Sequence, residues 1–285
     1  MDFMKMRLIY AFILMMGILC LYFSMEPFKT LPLVLKKGHG KFLQLPDIDC
    51  KQKPPFLVLL VTSSHKQLAA RMAIRKTWGK DTEVHGQRVK TLFLLGASDS
   101  TDEMNSTAQE GKQHRDIIQK DFKDDYYNLT LKTLMAFVMK TDSDMFVNVG
   151  YLTDLLLKKD KTSRFFTGYI KQKFNKWFVS KFEYPWDRYP PFCSGTGYVF
   201  SSNVASKVFN VSESVPFLKL EDVFFGLCLA MLKIQPEELH TEQTFFPFGL
   251  SFSVCHFQKI VTCHSNLLTY WQALENSQEQ NYSAV

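Results

Sequence analysis

The sequence has no clustered run of lysine and arginine to match its formal net charge of +6, so the electrostatic footprint of a nucleic-acid binder is missing. It has no C-x-x-C spacing, which removes the commonest zinc-binding pattern. No internal repeat or low-complexity tract is visible, which sets aside repeat arrays. No small-x-small cleavage site follows its long apolar run; Ser24-Met25-Glu26-Pro27 stands there instead.

What is present is a chain of 285 residues, 46% hydrophobic, with 26 phenylalanines. That is enough to bury one sizeable, aromatic-rich core, so one large domain with appendages is expected. The apolar run is continuous over the 16 residues from Leu8 to Phe23, with Lys5 and Arg7 before it and Glu26 after it. The positive flank predicts a signal-anchor with a cytoplasmic N-terminus, a cleaved signal peptide being the competing reading. Its shortness leans toward a thin membrane of the early secretory pathway. Two features fit an oxidising lumen for the remainder. Glycosylation sequons occur at Asn105, Asn128, Asn210 and Asn281. Five of the six cysteines, Cys50, Cys193, Cys228, Cys255 and Cys263, lie beyond the run, so disulfides are the default and one thiol is left over.

These signals divide the chain into a cytoplasmic tail (1–7), a transmembrane anchor (8–24), a proline-punctuated stem (25–54), a main lumenal domain (55–275) and a polar tail (276–285). Within the domain, Phe56 to Val61 reads as a buried strand, Gln67 to Trp78 as a helix, and Thr91 to Leu95 as a second strand. This β-α-β opening predicts parallel strands. A polar helix is expected over Glu103 to His114, a short strand over Asp116 to Gln119, and a helix start over Asn128 to Met135. Tyr151 to Lys158 reads as an amphipathic helix and Phe165 to Ile170 as a strand. Further on, a helix is expected over Leu220 to Leu232, a strand over Phe252 to Phe257 and a last helix over Leu267 to Leu274.

The chemistry gathers around AFVMKTDSDMFVNV, Ala136 to Val149. An apolar strand run there stops at two carboxylates, Asp142 and Asp144, separated by Ser143. Ligands of open α/β sheets collect beyond the carboxyl ends of strands. Two hard oxygen ligands at that place can hold Mg²⁺ or Mn²⁺ and grip a diphosphate, or they can be a solvated acidic turn. Arg71 and Arg75 are i,i+4 on their helix and either face a phosphate at the sheet mouth or form surface ion pairs. Gly195 and Gly197 either let backbone approach a ligand closely or form a turn before a strand at Tyr198 and Phe200. Glu221 and Asp222 open an apolar helix, where carboxylates serve as caps or, alternatively, as a general base.

As an ordered set, RMAIRKTW (Arg71 to Trp78), DSD (Asp142 to Asp144), YPPFCSGTGY (Tyr189 to Tyr198) and EDV (Glu221 to Val223) closely resemble the beta-1,3-galactosyltransferases of glycosyltransferase family 31. The resemblance covers nearly the whole chain, anchor included. It implies a GT-A type α/β fold, with a mixed, mainly parallel sheet flanked by helices and preceded by a single transmembrane helix. It further implies a single-pass type II protein of the Golgi membrane with a lumenal catalytic domain. The implied reaction is inverting, metal-dependent transfer of galactose from UDP-galactose in β-1,3 linkage to terminal N-acetylglucosamine of glycoproteins or glycolipids, with Mn²⁺ as cofactor. By the same resemblance, Asp144 would be the main metal ligand, Asp142 would sit near the ribose or the metal, and His264 would face the metal or diphosphate. Asp222 would be the base on the acceptor hydroxyl, and Thr62, Ser63, Arg71, Arg75 and Ser143 would line the nucleotide-sugar site.

The sequence also departs from the family pattern. Residues that would finish a helix with a tryptophan and a cysteine are missing between Met135 and Ala136, so helix and strand would meet with no turn between them. The segment Lys171 to Lys176 and the stretch after His264 are also short, and Gly150 stands where an acid is expected. Two alternatives therefore stay open: β-1,3-N-acetylglucosaminyl transfer, and a non-catalytic glycan-binding or folding-assistance relative.

Overall fold

The computed structural model describes residues 41–46, 53–121, 137–160, 162–171 and 179–264, all within one compact unit, Leu35–Val285. The expected anchor, most of the stem, the helices at 128–135 and 267–274, the Met135–Ala136 junction, Cys50, Asn128 and Asn281 lie outside the described residues. Among the described residues no helix is long and apolar enough to cross a membrane.

The elements run β1 (Phe42–Gln44), β2 (Leu57–Thr62), a 3-10 turn (His65–Gln67), α1 (Leu68–Lys76), β3 (Thr82–Val84), β4 (Gln87–Leu95), α2 (Thr101–His114) and β5 (Ile117–Lys120). Then follow β6 (Phe137–Asp142), β7 (Met145–Val147), α3 (Val149–Leu157), β8 (Phe166–Lys171), β9 (Phe192–Ser201) and α4 (Ser202–Val211). The last are α5 (Glu221–Met231), β10 (Phe245–Phe246), α6 (Val254–Phe257) and β11 (Thr262–His264). Local chemistry sets several boundaries. Ser100 accepts a hydrogen bond from the Glu103 amide and caps α2, which ends at left-handed Arg115 (φ 54°). Asn148 accepts from the Tyr151 amide and caps α3. Gly150 sits in the first turn of α3, where an acid would have favoured the helix dipole.

An eight-stranded mixed sheet carries the order β1-β5-β4-β2-β6-β9-β8, with β3 paired to β4. The β2–β4, β2–β6 and β4–β5 pairs are parallel. The pairs of β9 with β6 and with β8 are antiparallel. β2 reads as an unbroken apolar run because both of its faces are covered. Val58, Leu60 and Val138 face a core shared with Val204 of α4 and with Val223, Phe224 and Cys228 of α5. Leu57, Leu59, Val61 and Met139 face the opposite core, with Ile74 of α1 and Leu152 and Leu156 of α3. A second sheet, β10-β11-β7, packs around Phe146, Phe257, Ile260 and Cys263.

Four expectations need correction. The strand expected over Phe252 to Phe257 is the one-turn helix α6, because Phe257 buries against Phe146 from one side while the slot beside β7 is filled by β11. The strand expected to begin at Tyr198 already begins at Phe192, so Gly195 and Gly197 lie inside β9. The strand expected to begin at Thr91 begins at Gln87, after a two-residue turn in which His85 (φ 50°) and Gly86 (φ 72°) both adopt the positive φ of a tight hairpin. The stem is not wholly irregular, since β1 pairs antiparallel with the edge of β5.

That pairing has a measurable consequence. Phe42 packs on the core, the Lys120 ammonium lies 5.4 Å from its ring centroid, and the Gln44 side chain occupies the space a Cβ on Gly111 would need. A fragment beginning at Lys51 should therefore be less stable than one beginning at Leu35 by up to about 1.5 kcal/mol, the lower end for a phenylalanine because Phe42 is only half-buried. It should also aggregate more readily through the bared edge of β5. Equal melting temperatures and equal solubility would show that β1 contributes nothing.

Candidate functional site

The parallel strands β2, β4, β5 and β6 all end at one edge of the sheet, which gathers their terminal residues. Register sets Thr62 directly opposite Asp142, and strand alternation turns Thr62, Lys140 and Asp142 toward the α5 side. The Thr62 hydroxyl donates to Asp142 Oδ1 at 2.6 Å, and Lys140 Nζ donates to the same oxygen at 2.9 Å. Beyond Asp142 the chain turns through buried Ser143 and exposed Asp144 into β7. The β7–β11 pairing sets Met145 against His264. As a result His264 Nε2 comes within 3.1 Å of Asp144 Oδ2, with the two side chains 51% and 62% exposed.

The other wall comes from β9 and the start of α5. Asp222 Oδ2 accepts from the Gly195 amide at 3.1 Å and Oδ1 from the Val223 amide at 2.8 Å. The N-cap residue of α5 is Leu220, which has no side chain for the purpose, so Asp222 does not sit at the cap position. A carboxylate has about four lone-pair sites, and two such bonds leave room for an acceptor hydroxyl. Glu221, beside it, accepts from the Tyr198 hydroxyl and lies 3.5 Å from Lys140 Nζ. Burial pushes the Glu221 carboxyl above its ordinary range, with the Asp222 and Asp142 charges adding to it against the opposing pull of Lys140 and Tyr198.

Lys140 and Tyr198 carry no site role in the sequence reading, and Glu221 enters it only beside Asp222 as a cap or base. One signal was present: a lysine inside an apolar strand run must find partners when both faces of the strand are covered. Gly195 is where those partners meet. A Cβ built there would lie 3.3 Å from Glu221 Oε2 and 3.6 Å from both the Asp222 Cβ and Lys140 Nζ. A Cβ on Gly197 would instead face Met139 and Thr262, so its lack of a side chain serves packing.

Arg71 and Arg75 are engaged elsewhere. Arg71 is 1% exposed, forks onto both oxygens of Glu110 (2.9 and 2.6 Å), and donates to Ser63 Oγ and the Ser64 carbonyl. Arg75 pairs with Asp116 at 2.7 Å and Glu110 at 2.8 Å. Both guanidiniums are thus held in ion pairs, though in largely buried ones and not in the surface pairs of the alternative reading, and Arg71 reaches the sheet mouth only by holding the Ser63-Ser64 loop after β2. Burial opposes ionisation of Glu110, but the hydrogen bonds and charges of the two arginines win and hold its carboxyl below the ordinary value. Its contribution to stability is present above the unfolded carboxylate value and is lost as pH falls through the depressed one.

Asp144 and His264 offer one hard oxygen and one imidazole, both open to solvent and side by side, a donor set that suits a divalent ion such as Mn²⁺. Both oxygens of Thr62-bound Asp142 lie at the same edge, but Oδ1 is already occupied by Thr62 and Lys140. Among the described residues no group of three or more His, Cys, Asp or Glu side chains could by itself hold a metal. A divalent ion at this pair would need further ligands from outside these side chains.

Disulfides were the expectation for the cysteines, yet among the described residues Cys193, Cys228 and Cys255 are free thiols. Cys193 and Cys228 are packed among core side chains as small apolar groups. Burial pushes the Cys193 thiol well up and that of Cys228 to about 12. Of the sequons, Asn105 on α2 and Asn210 at the end of α4 are exposed.

A galactosyltransferase family model matches residues 69–240, which include Arg71, the DSD turn, Gly195 and Asp222. Beta-1,3-galactosyltransferase 5 of Mus musculus is 75% identical across all of both chains, and that of Homo sapiens is 62% identical across all of both. The alignment with the mouse protein runs to 308 positions against a chain of 285 residues, so the relative carries at least 23 residues that have no counterpart here. Human beta-1,3-galactosyltransferase 2 is 41% identical over 84% of this chain and 63% of its own length. Among solved structures, the galactosyltransferase LgtC with donor and acceptor sugar analogs aligns over 79% of this chain and 95% of its own at a TM-score of 0.39 and 10% identity. The WbbM bifunctional glycosyltransferase aligns over 78% and 46% at 0.44 and 11%.

Proposed function

Starting from a chain that belongs to the galactosyltransferase family, we propose that it transfers galactose from UDP-galactose in β-1,3 linkage to terminal N-acetylglucosamine of glycoproteins or glycolipids. The observation that carries this reading is the meeting, at one sheet edge, of an acidic turn suited to a nucleotide diphosphate and a second carboxylate suited to a base. The Asp142–Asp144 turn and His264 form the first, and Asp222 the second. Such an edge in a mixed α/β sheet fits a GT-A fold. An N-terminal anchor at residues 8–24 and a Golgi-lumenal catalytic domain complete the proposal.

In the reaction, Asp222 takes the proton from O3 of the acceptor as that oxygen bonds to C1 of galactose. The bond from C1 to the diphosphate breaks on the opposite face, so the α-linked donor yields a β-linked product and UDP leaves. A divalent ion held by Asp144 and His264 would neutralise the charge developing on the departing diphosphate. The Thr62 hydroxyl and Lys140 orient Asp142 at the rim, and Arg71 holds the Ser63-Ser64 loop beside it.

The test is transfer by the purified protein with UDP-galactose and UDP-N-acetylglucosamine, on acceptors ending in N-acetylglucosamine, with and without Mn²⁺. The reading expects a β-1,3-linked galactose on the acceptor, dependent on Mn²⁺. Transfer of N-acetylglucosamine instead would reassign the donor. UDP binding without any transfer would favour the non-catalytic reading, which the residues missing relative to the mouse protein make the natural competitor.

A further inference from the structure

We propose that Lys140 is a positioning residue that ties the donor end of the site to its base, an inference that rests on the transferase reading above. Lys140 Nζ donates at once to Asp142 Oδ1 and to the Gly195 carbonyl, while the amide of that same glycine donates to Asp222 Oδ2. One ammonium and one residue of β9 therefore span the gap between the nucleotide-facing carboxylate and the base. Glu221 closes the arrangement from α5, 3.5 Å from Nζ, and Tyr198 binds the other Glu221 oxygen while its ring lies 6.0 Å from Nζ.

Stability is a poor reason for this lysine. Only 3% of it is exposed, in the middle of a sheet, and a buried ion pair rarely outperforms an apolar side chain of the same volume. Val138, two residues earlier on the same strand and face, shows what packing alone would select. The ammonium instead lies between Asp142 and Glu221, two carboxylates that would otherwise repel one another, and the charge of Asp222 adds to the repulsion on Glu221. A displaced Gly195 amide would carry Asp222 with it, and misplacement of about 1 Å can cost a factor of about 10² in rate. Lys140 touches neither the sugar nor the reacting atoms in this role; it acts through Gly195.

The test is a double-mutant cycle on the full chain between Lys140→Met and Asp222→Asn, read as kcat for galactose transfer and as the Kd for UDP in the presence of Mn²⁺. Lys140→Met alone is expected to lower kcat by about 10- to 100-fold and, because Asp142 loses one of its two partners, to weaken the UDP Kd by a clearly smaller factor. In the Asp222→Asn background it should lower kcat by less than about threefold, because the base it positions is gone. Gly195→Ala provides a second arm that removes no charge: its Cβ would crowd Glu221 Oε2 at 3.3 Å and so disturb the carboxylate that closes the Lys140 arrangement. The same loss of kcat, vanishing in the same background, is expected of it even if Lys140→Met fails to fold. Losses that multiply fully with Asp222→Asn, or a UDP Kd that weakens as much as kcat falls, would overturn the positioning role and leave the transferase reading intact. A wild-type protein that transfers no sugar would overturn that reading and this inference with it.

Discussion

Asp222→Asn should lower the turnover of galactose transfer by about 10²-fold or more, the scale of a lost general base, while the affinity for UDP stays within about threefold. Asparagine keeps the shape of the side chain and one oxygen to accept from a backbone amide, but it has no basic site for the acceptor proton. A factor of 10² corresponds to about 2.7 kcal/mol of transition-state stabilisation. The change also makes one of the two amides, Gly195 or Val223, face a donor instead of an acceptor, so the melting temperature must be measured beside the rate. If UDP binding, stability and turnover all fall together, Asp222 serves the start of α5 and not the chemistry. If turnover alone falls, the residue is the base.

Asp144→Ala should reduce the UDP affinity measured with Mn²⁺ to the value measured without it. The side chain is 62% exposed, so its loss leaves the packing untouched, and a surface truncation of this kind usually changes stability by less than about 0.5 kcal/mol. What remains for a cation is the imidazole of His264 and an Asp142 oxygen, whose partner oxygen is already bound by Thr62 and Lys140. Titration calorimetry of UDP at several Mn²⁺ concentrations decides the matter. Mn²⁺-stimulated affinity that survived the substitution would remove Asp144 from the metal site. His264→Ala should weaken the same stimulation, since the ring shares the position through the β7–β11 pairing.

Apolar runs that are buried on both faces were legible directly, because such residues exclude most alternatives: Phe56 to Val61 foretold β2, and the run ending in DSD foretold β6. Polar α2 was legible as a helix over Glu103 to His114, but its Ser100 cap and its start at Thr101 were not read. The aromatic stretch at Phe252 to Phe257 misled, since a short apolar segment reads as strand or helix alike and its fate depended on where Phe146 lay. Lys140 was overlooked for the same kind of reason. A lysine's neighbours in sequence do not disclose that Gly195 and Glu221, dozens of residues later, will supply its partners.

The sequence by itself determined the ingredients: the strand that delivers Asp142 and Asp144 to an edge, the helix that opens with Glu221 and Asp222, and membership of the family through motifs in a set order. Those are local or ordered properties, carried by periodicity and by side-chain chemistry. Only the tertiary structure decided which ingredients meet. Parallel register put Thr62 on Asp142, antiparallel pairing put His264 on Asp144, and burial drew Arg71 and Arg75 onto Glu110 and Asp116. The physical reason is that a charged group leaving water takes whatever compensating partner the packed elements bring within about 3 Å, and that partner is set by strand order and helix docking, which no local stretch of residues encodes.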